Sequence, residues 1–266
     1  NGTSFTEAAA EYHLDIQFND MGITIGDYNN DQRFDFFIST IANNVLLTRN
    51  SNGTYDERAT EFGLKETDWS WGTTFADFDL DGDEDLVIVN GFKNAVPDAF
   101  ANYYFENTLN QGTVGFSNEN NQGIADVSVS VEVVDFDYDR DGDLDLLITN
   151  TDQTSYFYEN TTRNSLGEGD LNWFQLSLEG TESNRDGIGT KVTLKTDLDT
   201  YIRYYAGVGF LGQSLKPIHF GLANASRIEE LKIEWPSGNM DTYTDIEINS
   251  FGKAIEQTSY EKLNST

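Results

Sequence analysis

One acidic motif occurs three times in the first two thirds of the chain, and it limits the possible folds more than any other feature. The three copies begin at Asp27, Asp77 and Asp137, so they are spaced by 50 and 60 residues. An apolar run follows each copy, and behind it comes a second apolar segment that ends in Asn. Repeats of this length, each holding several short strands, are typical of β-propeller blades and related arrays. The terminal Asn residues are Asn50, Asn107 and Asn160.

Oxygen-bearing side chains alternate along each motif, which indicates a nine-residue loop between two strands. Oxygens at positions 1, 3, 5 and 9, with the backbone carbonyl of position 7, converge on one point and supply the roughly six to eight hard ligands that Ca²⁺ prefers. The sequence therefore predicts about three calcium sites, one in each loop. The expected ligands are Asp27, Asn29, Asp31, the Arg33 carbonyl and Asp35 in the first loop, Asp77, Asp79, Asp81, the Asp83 carbonyl and Asp85 in the second, and Asp137, Asp139, Asp141, the Asp143 carbonyl and Asp145 in the third.

The first loop differs from the other two at position 6. Gly82 and Gly142 occupy this position in the second and third loops, whereas Gln32 occupies it in the first. A sharp turn with positive φ favours Gly, and the first loop also has one carboxylate fewer, so we expect the first site to bind calcium most weakly. All three loops lack the Glu that closes an EF-hand at position 12, where each has Ile.

The simplest alternative is that these Asp-Gly runs are ordinary polar turns. Three copies in register argue against it, because alternating carboxylates repel one another unless a cation lies between them. Magnesium is a poorer match than calcium, since it prefers a tight octahedron that keeps several waters. Calcium that is fully enclosed has no open position for a substrate, so a structural role is expected.

The net charge of −30 is concentrated in the repeats. Residues 1–170 carry 33 acids and 7 bases, and residues 171–266 carry 13 acids and 9 bases. Nucleic acids and anionic membranes are excluded as partners, because both are polyanions. The chain has no cysteine and no apolar stretch of about 20 residues, so neither disulfides nor membrane insertion is predicted.

The charge balance changes at residue 171, after a predicted linker at 166–170. Short alternating runs predict six strands, at 173–179, 190–196, 200–206, 218–222, 228–235 and 242–248, and these favour a β-sandwich. Arg185 is predicted to be a buried residue that fixes a turn, and His219 a core or strand-face residue. The predicted fold class is all-β, with a partial propeller of calcium-loop blades over residues 1–165, a β-sandwich-like domain over 171–258 and a tail over 259–266.

The residues of both regions resemble known families. Residues 69–85 and the other two loops resemble FG-GAP/VCBS repeats, the blades of integrin-α-like propellers. The C-terminal region resembles the ASPIC/UnbV domain of secreted proteins similar to cartilage acidic protein. The motifs that carry this second resemblance lie at 172–174, 183–189, 207–213, 219–222 and 235–238.

These resemblances imply a secreted or cell-surface, calcium-bound module that mediates adhesion or protein interaction, with a protein or glycan partner. They imply no catalytic residues, and we expect the protein not to be an enzyme. Such propellers usually have about seven blades and need at least about four to close. Further blades are therefore expected, either from a longer chain or from another subunit.

Three other functions stay open from the sequence. Trp69 and Trp71 suggest a lectin-like, carbohydrate-binding module if their rings are exposed beside a cleft, although packing between blades is the expectation. An accessory subunit of a surface complex is a second alternative. Glu132 and Asp135 are the nearest candidates for a carboxylate-based glycoside hydrolase, which is the less favoured alternative.

Overall fold

The computed structural model describes residues 4–93, 100–119, 123–165, 171–207, 209–213 and 216–263. Helix is limited, within these residues, to two short segments, α1 (Ala9–Tyr12) and α2 (Thr162–Ser165). Everything else that is regular is β-strand, so the predicted all-β class is confirmed. The predicted linker at 166–170 lies outside the described residues.

Thirteen strands are described in the repeat region. They are β1 (Asp20–Gly26), β2 (Asp35–Thr40), β3 (Val45–Arg49), β4 (Tyr55–Glu57), β5 (Ser70–Ala76), β6 (Asp85–Asn90), β7 (Phe100–Ala101), β8 (Tyr103–Asn107), β9 (Phe116–Asn118), β10 (Val127–Ser128), β11 (Ser130–Phe136), β12 (Asp145–Asn150) and β13 (Tyr156–Tyr158). Strands β1-β2-β3-β4 form the antiparallel sheet of blade one, β5-β6-β8-β9 that of blade two, and β11-β12-β13 that of blade three. The two-stranded sheet β10-β7 was not predicted.

The blades are arranged as in a propeller, with β1, β5 and β11 as neighbouring strands of successive blades. Two glycines allow this close approach. A Cβ at Gly22 would lie 2.6 Å from the carbonyl oxygen of Trp71, and one at Gly72 would lie 2.9 Å from the Cα of Glu132. Real side chains do not tolerate such distances, so the blades approach one another where these strands begin.

Apolar side chains fill the two interfaces between blades. Tyr28 and Phe37 of blade one pack with Phe75 and Phe105 of blade two, and all four are buried. Val87 and Val133 belong to the equivalent cluster between blades two and three. Every residue of β6, in the middle blade, is buried. The nearly continuous apolar runs of the sequence therefore reflect strands that are covered on both faces.

The C-terminal domain is a sandwich of two four-stranded sheets. Its strands are β14 (Trp173–Glu179), β15 (Lys191–Thr196), β16 (Thr200–Tyr204), β17 (Ile218–Gly221), β18 (Ile228–Glu234), β19 (Met240–Tyr243), β20 (Ser250–Ile255) and β21 (Ser259–Leu263). One sheet has the order β17-β14-β20-β21 and the other β16-β15-β18-β19. Phe174, Leu176, Leu194 and Leu231 are fully buried between the sheets.

Four details of the sequence interpretation were wrong in this domain. The strand predicted at 242–248 is instead β19 at Met240–Tyr243. The predicted tail includes β21, which pairs with β20, and neither strand was expected. Strand β20 lies between two neighbours and is buried at four of its six positions, so it shows little alternation, while β21 is a polar edge strand. Arg185 is exposed and not buried, and it contributes to its turn through its backbone carbonyl, which accepts from Gly180 N at 2.9 Å.

Candidate metal centres

Each acidic loop joins the first two strands of its blade. In each hairpin, the last loop residue pairs with the residue immediately before the loop. Asp35 pairs with Gly26, Asp85 with Ala76, and Asp145 with Phe136. The loop therefore lies at the tip of a rigid two-stranded ladder, as predicted. Its position 9 is the first residue of the returning strand.

The second and third loops each gather three carboxylates. Asp77, Asp79 and Asp85 can place one oxygen each within 4.8 Å of one another, and so can Asp137, Asp139 and Asp145. These are loop positions 1, 3 and 9 of the predicted ligand set. The remaining carboxylates of that set, Asp81 and Asp141 at position 5, lie outside the two clusters. Each accepts a hydrogen bond at 3.1 Å from the backbone N–H of position 7, which is Asp83 or Asp143.

Several buried carboxylate oxygens in the loops have no hydrogen-bond donor among the described residues. They are Asp35 Oδ2, Asp77 Oδ1, Asp83 Oδ1, Asp137 Oδ1 and Asp143 Oδ1. A buried anionic oxygen that has lost water and gained no donor is costly. A divalent cation between such oxygens removes that cost, and hard oxygen donors are the ligands that calcium prefers. The donor chemistry of the second and third loops therefore fits calcium.

The carboxylate at position 9 also organises the backbone around it. Asp85 accepts from Phe78 N at 3.1 Å, from the Tyr104 hydroxyl at 3.0 Å and from Asn107 N at 2.8 Å. Asp145 accepts in the same way from Tyr138 N and Asn160 N. These bonds orient the carboxylate, so position 9 is held in place before an ion arrives.

In the first repeat, the residue that makes this contact is Arg49, whose backbone N–H donates to Asp35 at 2.7 Å. The alignment of Asn50 with Asn107 and Asn160 was therefore one residue out of register. Asn50 instead begins a turn and accepts from Gly53 N at 3.0 Å. The Asn that ends each of the three segments does not mark corresponding positions. Which residues correspond between repeats is decided by their pairing across neighbouring strands, and not by the last residue of each segment.

Two positions in every loop adopt positive φ. Position 6 has φ values of 64° at Gln32, 96° at Gly82 and 104° at Gly142, so the predicted positive φ is confirmed, and Gln32 adopts it without being glycine. Position 4 was not predicted to turn this way, yet Leu80 and Arg140 have φ values of 66° and 64°. Non-glycine residues rarely adopt this conformation, which is favoured only when the surroundings determine it.

The first loop departs from the other two. Its Asp31 forms an ion pair with Arg33, and Asp27 accepts two backbone bonds of 2.9 Å from Asp31 N and Gln32 N. With Asn29 at position 3, this loop contributes fewer anionic oxygens. That it binds calcium most weakly stays a prediction.

Burial raises the pKa values of the loop carboxylates, and the charge of neighbouring carboxylates adds to this effect. The pKa rises well above its ordinary value at Asp77 and Asp85, where desolvation is the first cause and nearby Asp residues the second. The other shifts take the pKa of Asp27 to about 7, Asp35 to about 8, Asp79 to about 7, Asp83 to about 8, Asp137 to about 6 and Asp143 to about 7. Near neutral pH the groups with the higher pKa values are therefore partly or mostly protonated when no cation is bound, and a bound cation displaces these protons.

The C-terminal domain covers the second and third loops, which sequence spacing did not indicate. Gln175 donates from β14 to Asp137 Oδ2 at 2.6 Å, and His219 of β17 contacts the Gly142 carbonyl at 2.9 Å. Burial lowers the pKa of His219 to about 3, so the ring is neutral and its Nε2–H is the donor. A Cβ at Gly221 would overlap the Asp77 carboxylate. The predicted strand position of His219 is confirmed, and its partner is the third acidic loop.

Glu84, at position 8 of the second loop, links three parts of the molecule. Its Oε2 accepts from Asp27 N at 2.7 Å in the first loop, and its Oε1 pairs with Arg203 Nε of β16 at 3.1 Å. Glu84 and Arg203 are both buried. The only sequence signal for this role was an additional acid inside an otherwise alternating motif.

The candidates for other chemistry have structural partners. Glu132 accepts from the backbone N–H groups of Leu211 and Gly212, and Asp135 accepts from Thr74 at 2.9 Å and pairs with Lys216. Both carboxylates are buried and engaged, which gives no support to a paired acid–base site.

The two tryptophans of the second repeat are half-buried and packed. The Trp69 ring stacks on Phe92 with centroids 4.2 Å apart, and Trp71 packs against Phe92 and Phe210. Their ring faces are therefore used in packing, which favours a scaffold role over an exposed sugar shelf.

Two family models match the chain. Residues 27–88 match the FG-GAP-like repeat, and residues 180–260 match the family described as ASPIC and UnbV. The first match includes two of the acidic loops, and the second spans most of the C-terminal sandwich. Both resemblances drawn from the motifs are thus confirmed. No curated protein matches the chain.

Neither described helix exceeds four residues, so no helix in the described part of the chain is able to span a membrane.

Proposed function

We propose that this chain, in which FG-GAP-like repeat sequence is followed by an ASPIC/UnbV domain, is an extracellular interaction module whose blades are held together by calcium. The observation that carries the proposal is the pair of clusters Asp77–Asp79–Asp85 and Asp137–Asp139–Asp145, in which buried oxygens of Asp77 and Asp137 have no hydrogen-bond donor among the described residues. FG-GAP-like repeats are typical of extracellular proteins, which supports a secreted or cell-surface location.

Calcium in these loops would act mainly on stability. The loops lie where neighbouring blades and the C-terminal domain meet. Neutralising the loop carboxylates would therefore strengthen several of these interfaces at once. Asp79 and Asp139 at position 3 belong to the two clusters, and each accepts one hydrogen bond, from Asp81 N at 3.2 Å and from Asp141 N at 3.3 Å. The first loop, with Asp27, Asn29, Asp31 and Asp35, would be a third and weaker site.

Calorimetric calcium titration of chelator-stripped protein, with thermal unfolding measured in parallel, tests this proposal. We expect two or three ions to bind and the melting temperature to rise with calcium concentration, since a ligand that binds only the folded state stabilises it. The matched variants are Asp79→Asn and Asp139→Asn, each of which should remove one ion. An absence of binding at about millimolar calcium, the weak end for extracellular sites, would contradict the proposal.

A further blade is the proposed partner of blade three. At loop position 2, Tyr28 is 0% and Phe78 6% exposed, because blades two and three cover them, whereas Tyr138 is 65% exposed. Phe157 is also exposed and lies against Tyr138, with ring centroids 5.1 Å apart. The covering blade would come from a longer chain or another subunit.

Cysteine labelling tests the partner proposal, since the chain has no native thiol. A Tyr138→Cys variant should react rapidly in the isolated chain and slowly once the covering blade is present, whereas Phe78→Cys should react slowly in both. Equal rates for Tyr138→Cys in the two samples would contradict the proposal.

We also propose a binding role and not an enzymatic one. The engagement of Glu132 and Asp135 by backbone and lysine supports this, as does the packing of Trp69 and Trp71 against other rings. Incubation with a panel of glycosides, followed by reducing-sugar detection, checks it. Turnover that is lost in Glu132→Gln would overturn it.

A further inference from the structure

A cavity of about 420 Å³ lies between blades two and three, beside the second acidic loop. Blade two lines it with residues of that loop and of β8, and blade three lines it with residues of β12, β13 and the segment that follows β13. Its volume falls within the range of small-molecule pockets, about 300–1,000 Å³. The cavity therefore has room for a small ligand or for one side chain of a partner.

At the junction of blades one and two, aromatic rings occupy the corresponding space. The Tyr28 ring at loop position 2 packs there against Phe62 and Phe116, with ring centroids 5.9 and 5.6 Å apart. Phe116 lies on β9, the fourth strand of blade two, whereas blade three has three strands within the described residues. Phe78, which takes the place of Tyr28 in the second loop, borders the cavity instead.

The charged groups that line the cavity are all acidic. Twelve described residues form the lining, and they comprise three acids, three aromatic, three aliphatic and three uncharged polar residues. The acids are Asp79, Glu106 and Glu159. Carboxylates around one cavity repel one another, and a cation between them removes that cost.

Glu106 and Glu159 are the two acids of the lining that lie outside the predicted calcium ligands. They hold the same place in their repeats, because each immediately precedes one of the equivalent residues Asn107 and Asn160. One carboxylate thus comes from each blade. Neither glutamate takes part in an ion pair within the described part of the chain.

The surroundings of Glu106 favour a positive charge beside it. Glu106 is half-buried, and its Oε1 accepts from the neutral side-chain amide of Gln111 at 2.8 Å. Burial is the first cause that raises the pKa of Glu106, and the charges of Glu119 and Asp81 raise it further. A cation in the cavity would offset both effects and stabilise the ionised carboxylate.

The uncharged wall suits an apolar stem attached to such a cation. Phe78 and Tyr104 of blade two meet edge to face, with ring centroids 6.0 Å apart, and Tyr158 comes from blade three. Leu144 and Leu146 add aliphatic surface. Aromatic faces attract ammonium groups, and an alkyl stem packs along apolar surface while its charged end meets polar partners.

We propose that this cavity binds a primary alkylammonium group, with the charge between Glu106 and Glu159 and the alkyl stem against the aromatic and aliphatic wall. An ammonium group is compact and has three rotatable donors, so carboxylates of two different blades can share it. A guanidinium requires its acceptors in one plane. A lysine side chain of a partner protein and a free polyamine both carry this group.

Ligand-observed NMR with pentylammonium on the full chain tests the proposal. The measurement is made in saturating calcium, so that an ammonium ion in the metal loop is not mistaken for one in the cavity. We expect pentylammonium to bind, and methylammonium to bind about ten-fold or more weakly because it lacks the apolar stem. Neutral 1-pentanol should also bind more weakly, since it lacks the charge.

Variants of the lining assign the binding to the cavity. Glu106→Gln should weaken pentylammonium binding about ten-fold, and Glu159→Gln about three-fold, because Glu159 is exposed and its charge is screened more strongly. Thr162→Phe, which narrows the cavity and keeps both carboxylates, should weaken binding as well. Glu261→Gln, on the exposed edge strand β21, is the matched control and should bind normally.

Calcium titration and circular dichroism of each variant establish that it is folded. A variant that loses pentylammonium and still titrates with calcium separates this site from the metal loops, so failure of one proposal is distinguished from failure of the other. Nα-acetyl-lysine methylamide and cadaverine then distinguish the two sources of the ammonium group. Tighter binding of the lysine derivative assigns the cavity to a partner's side chain, and tighter binding of cadaverine assigns it to a free polyamine.

Four outcomes would overturn the proposal. The first is no pentylammonium binding at about 50 mM, a concentration that still detects affinities weaker than millimolar. The second is equal affinity for methylammonium and pentylammonium, which would leave the apolar wall without a role. The third is binding that saturating calcium abolishes, and the fourth is binding that both glutamate variants retain in full.

Discussion

The side-chain amide of Asn107, at the end of β8 in blade two, donates to the backbone carbonyl of Tyr28 in the loop of blade one, 2.7 Å away. The same amide nitrogen lies 3.0 Å from the Glu84 carbonyl in its own loop. Asn160 repeats the arrangement one blade later, with Phe78 at 2.8 Å and Leu144 at 3.1 Å. One side chain therefore ties the second acidic loop to the first, and another ties the third to the second.

Removal of this amide should loosen the junction between blades. We expect Asn107→Ala to lower the free energy of unfolding by about 1–3 kcal/mol, because two carbonyls lose their donor in a buried site, and Asn160→Ala, where the site is half-buried, to lower it by less. Chemical denaturation measures the change, and Asn52→Ala, on an exposed turn, is the control. A loss no larger than that of the control would show that the amides do not hold the blades.

The contact between Gly221 and Asp77 provides a second prediction. Gly221→Ala places a Cβ on the Asp77 carboxylate, so the domain must shift or the carboxylate must rotate out of its cluster. We expect calcium affinity at the second loop to fall about ten-fold or more, because a ligand carboxylate binds an ion well only when its neighbours hold it in the right orientation. Isothermal titration measures it.

Gly115→Ala is the matched control for this change. A Cβ at Gly115 would meet its nearest atom, on Phe62, at an ordinary distance of 3.5 Å, and this glycine has no positive φ. The control should therefore titrate like the unmodified protein. An unchanged titration for Gly221→Ala as well would mean that the C-terminal domain does not constrain the second loop.

Local patterns predicted much of the fold and of the candidate site. Strand β14 was placed correctly to the residue because Trp173–Glu179 alternates apolar and polar residues, and the hairpins around the loops follow from apolar segments on both sides of an acidic turn. The proximity of Asp77, Asp79 and Asp85 follows from alternation alone. In these cases the information lies within a few residues of the element.

The parts that sequence did not predict depend on contacts between distant residues. Gln175 reaches Asp137 across 38 positions, and Asn107 reaches Tyr28 across 79. The positive φ of Leu80 has a similar origin, because this buried side chain packs with Trp173 and Phe251 of the C-terminal domain. No local pattern encodes such a contact, and its residues look ordinary until the domains are assembled.

The buried carboxylate Glu256 leads to a third prediction. It accepts from the backbone N–H groups of Thr181, Glu182 and Ser183 and from the hydroxyl groups of Ser183 and Ser237. Burial alone would raise its pKa, but these donors outweigh burial and lower the pKa to about 2. The motifs at 183–189 and 235–238 thus meet at one carboxylate.

Glu256→Ala should destabilise the protein by about 2–4 kcal/mol, because several donors lose a charged acceptor at once. Chemical denaturation measures this change, and Glu261→Ala, which is exposed on β21, is the control. Because the folded-state pKa of Glu256 is lowered, its contribution is present above about pH 4.3 and is lost as the pH falls toward 2. Equal stability of the two variants at neutral pH would contradict this role.

The raised pKa values of the loop carboxylates predict an opposite pH dependence for metal-free protein. Asp35 and Asp83, with pKa values near 8, and Asp27, near 7, keep protons that the unfolded chain releases near its ordinary value of 3.8. The folded state then binds more protons than the unfolded state between these values, so the free energy of unfolding falls as the pH rises from about 4 to 8. Denaturation in chelator across this range should show the decline, and saturating calcium should remove or reverse it, because the ion displaces the protons. Metal-free stability that is constant or rises over this interval would mean that the loop carboxylates are ionised and stabilised without a cation.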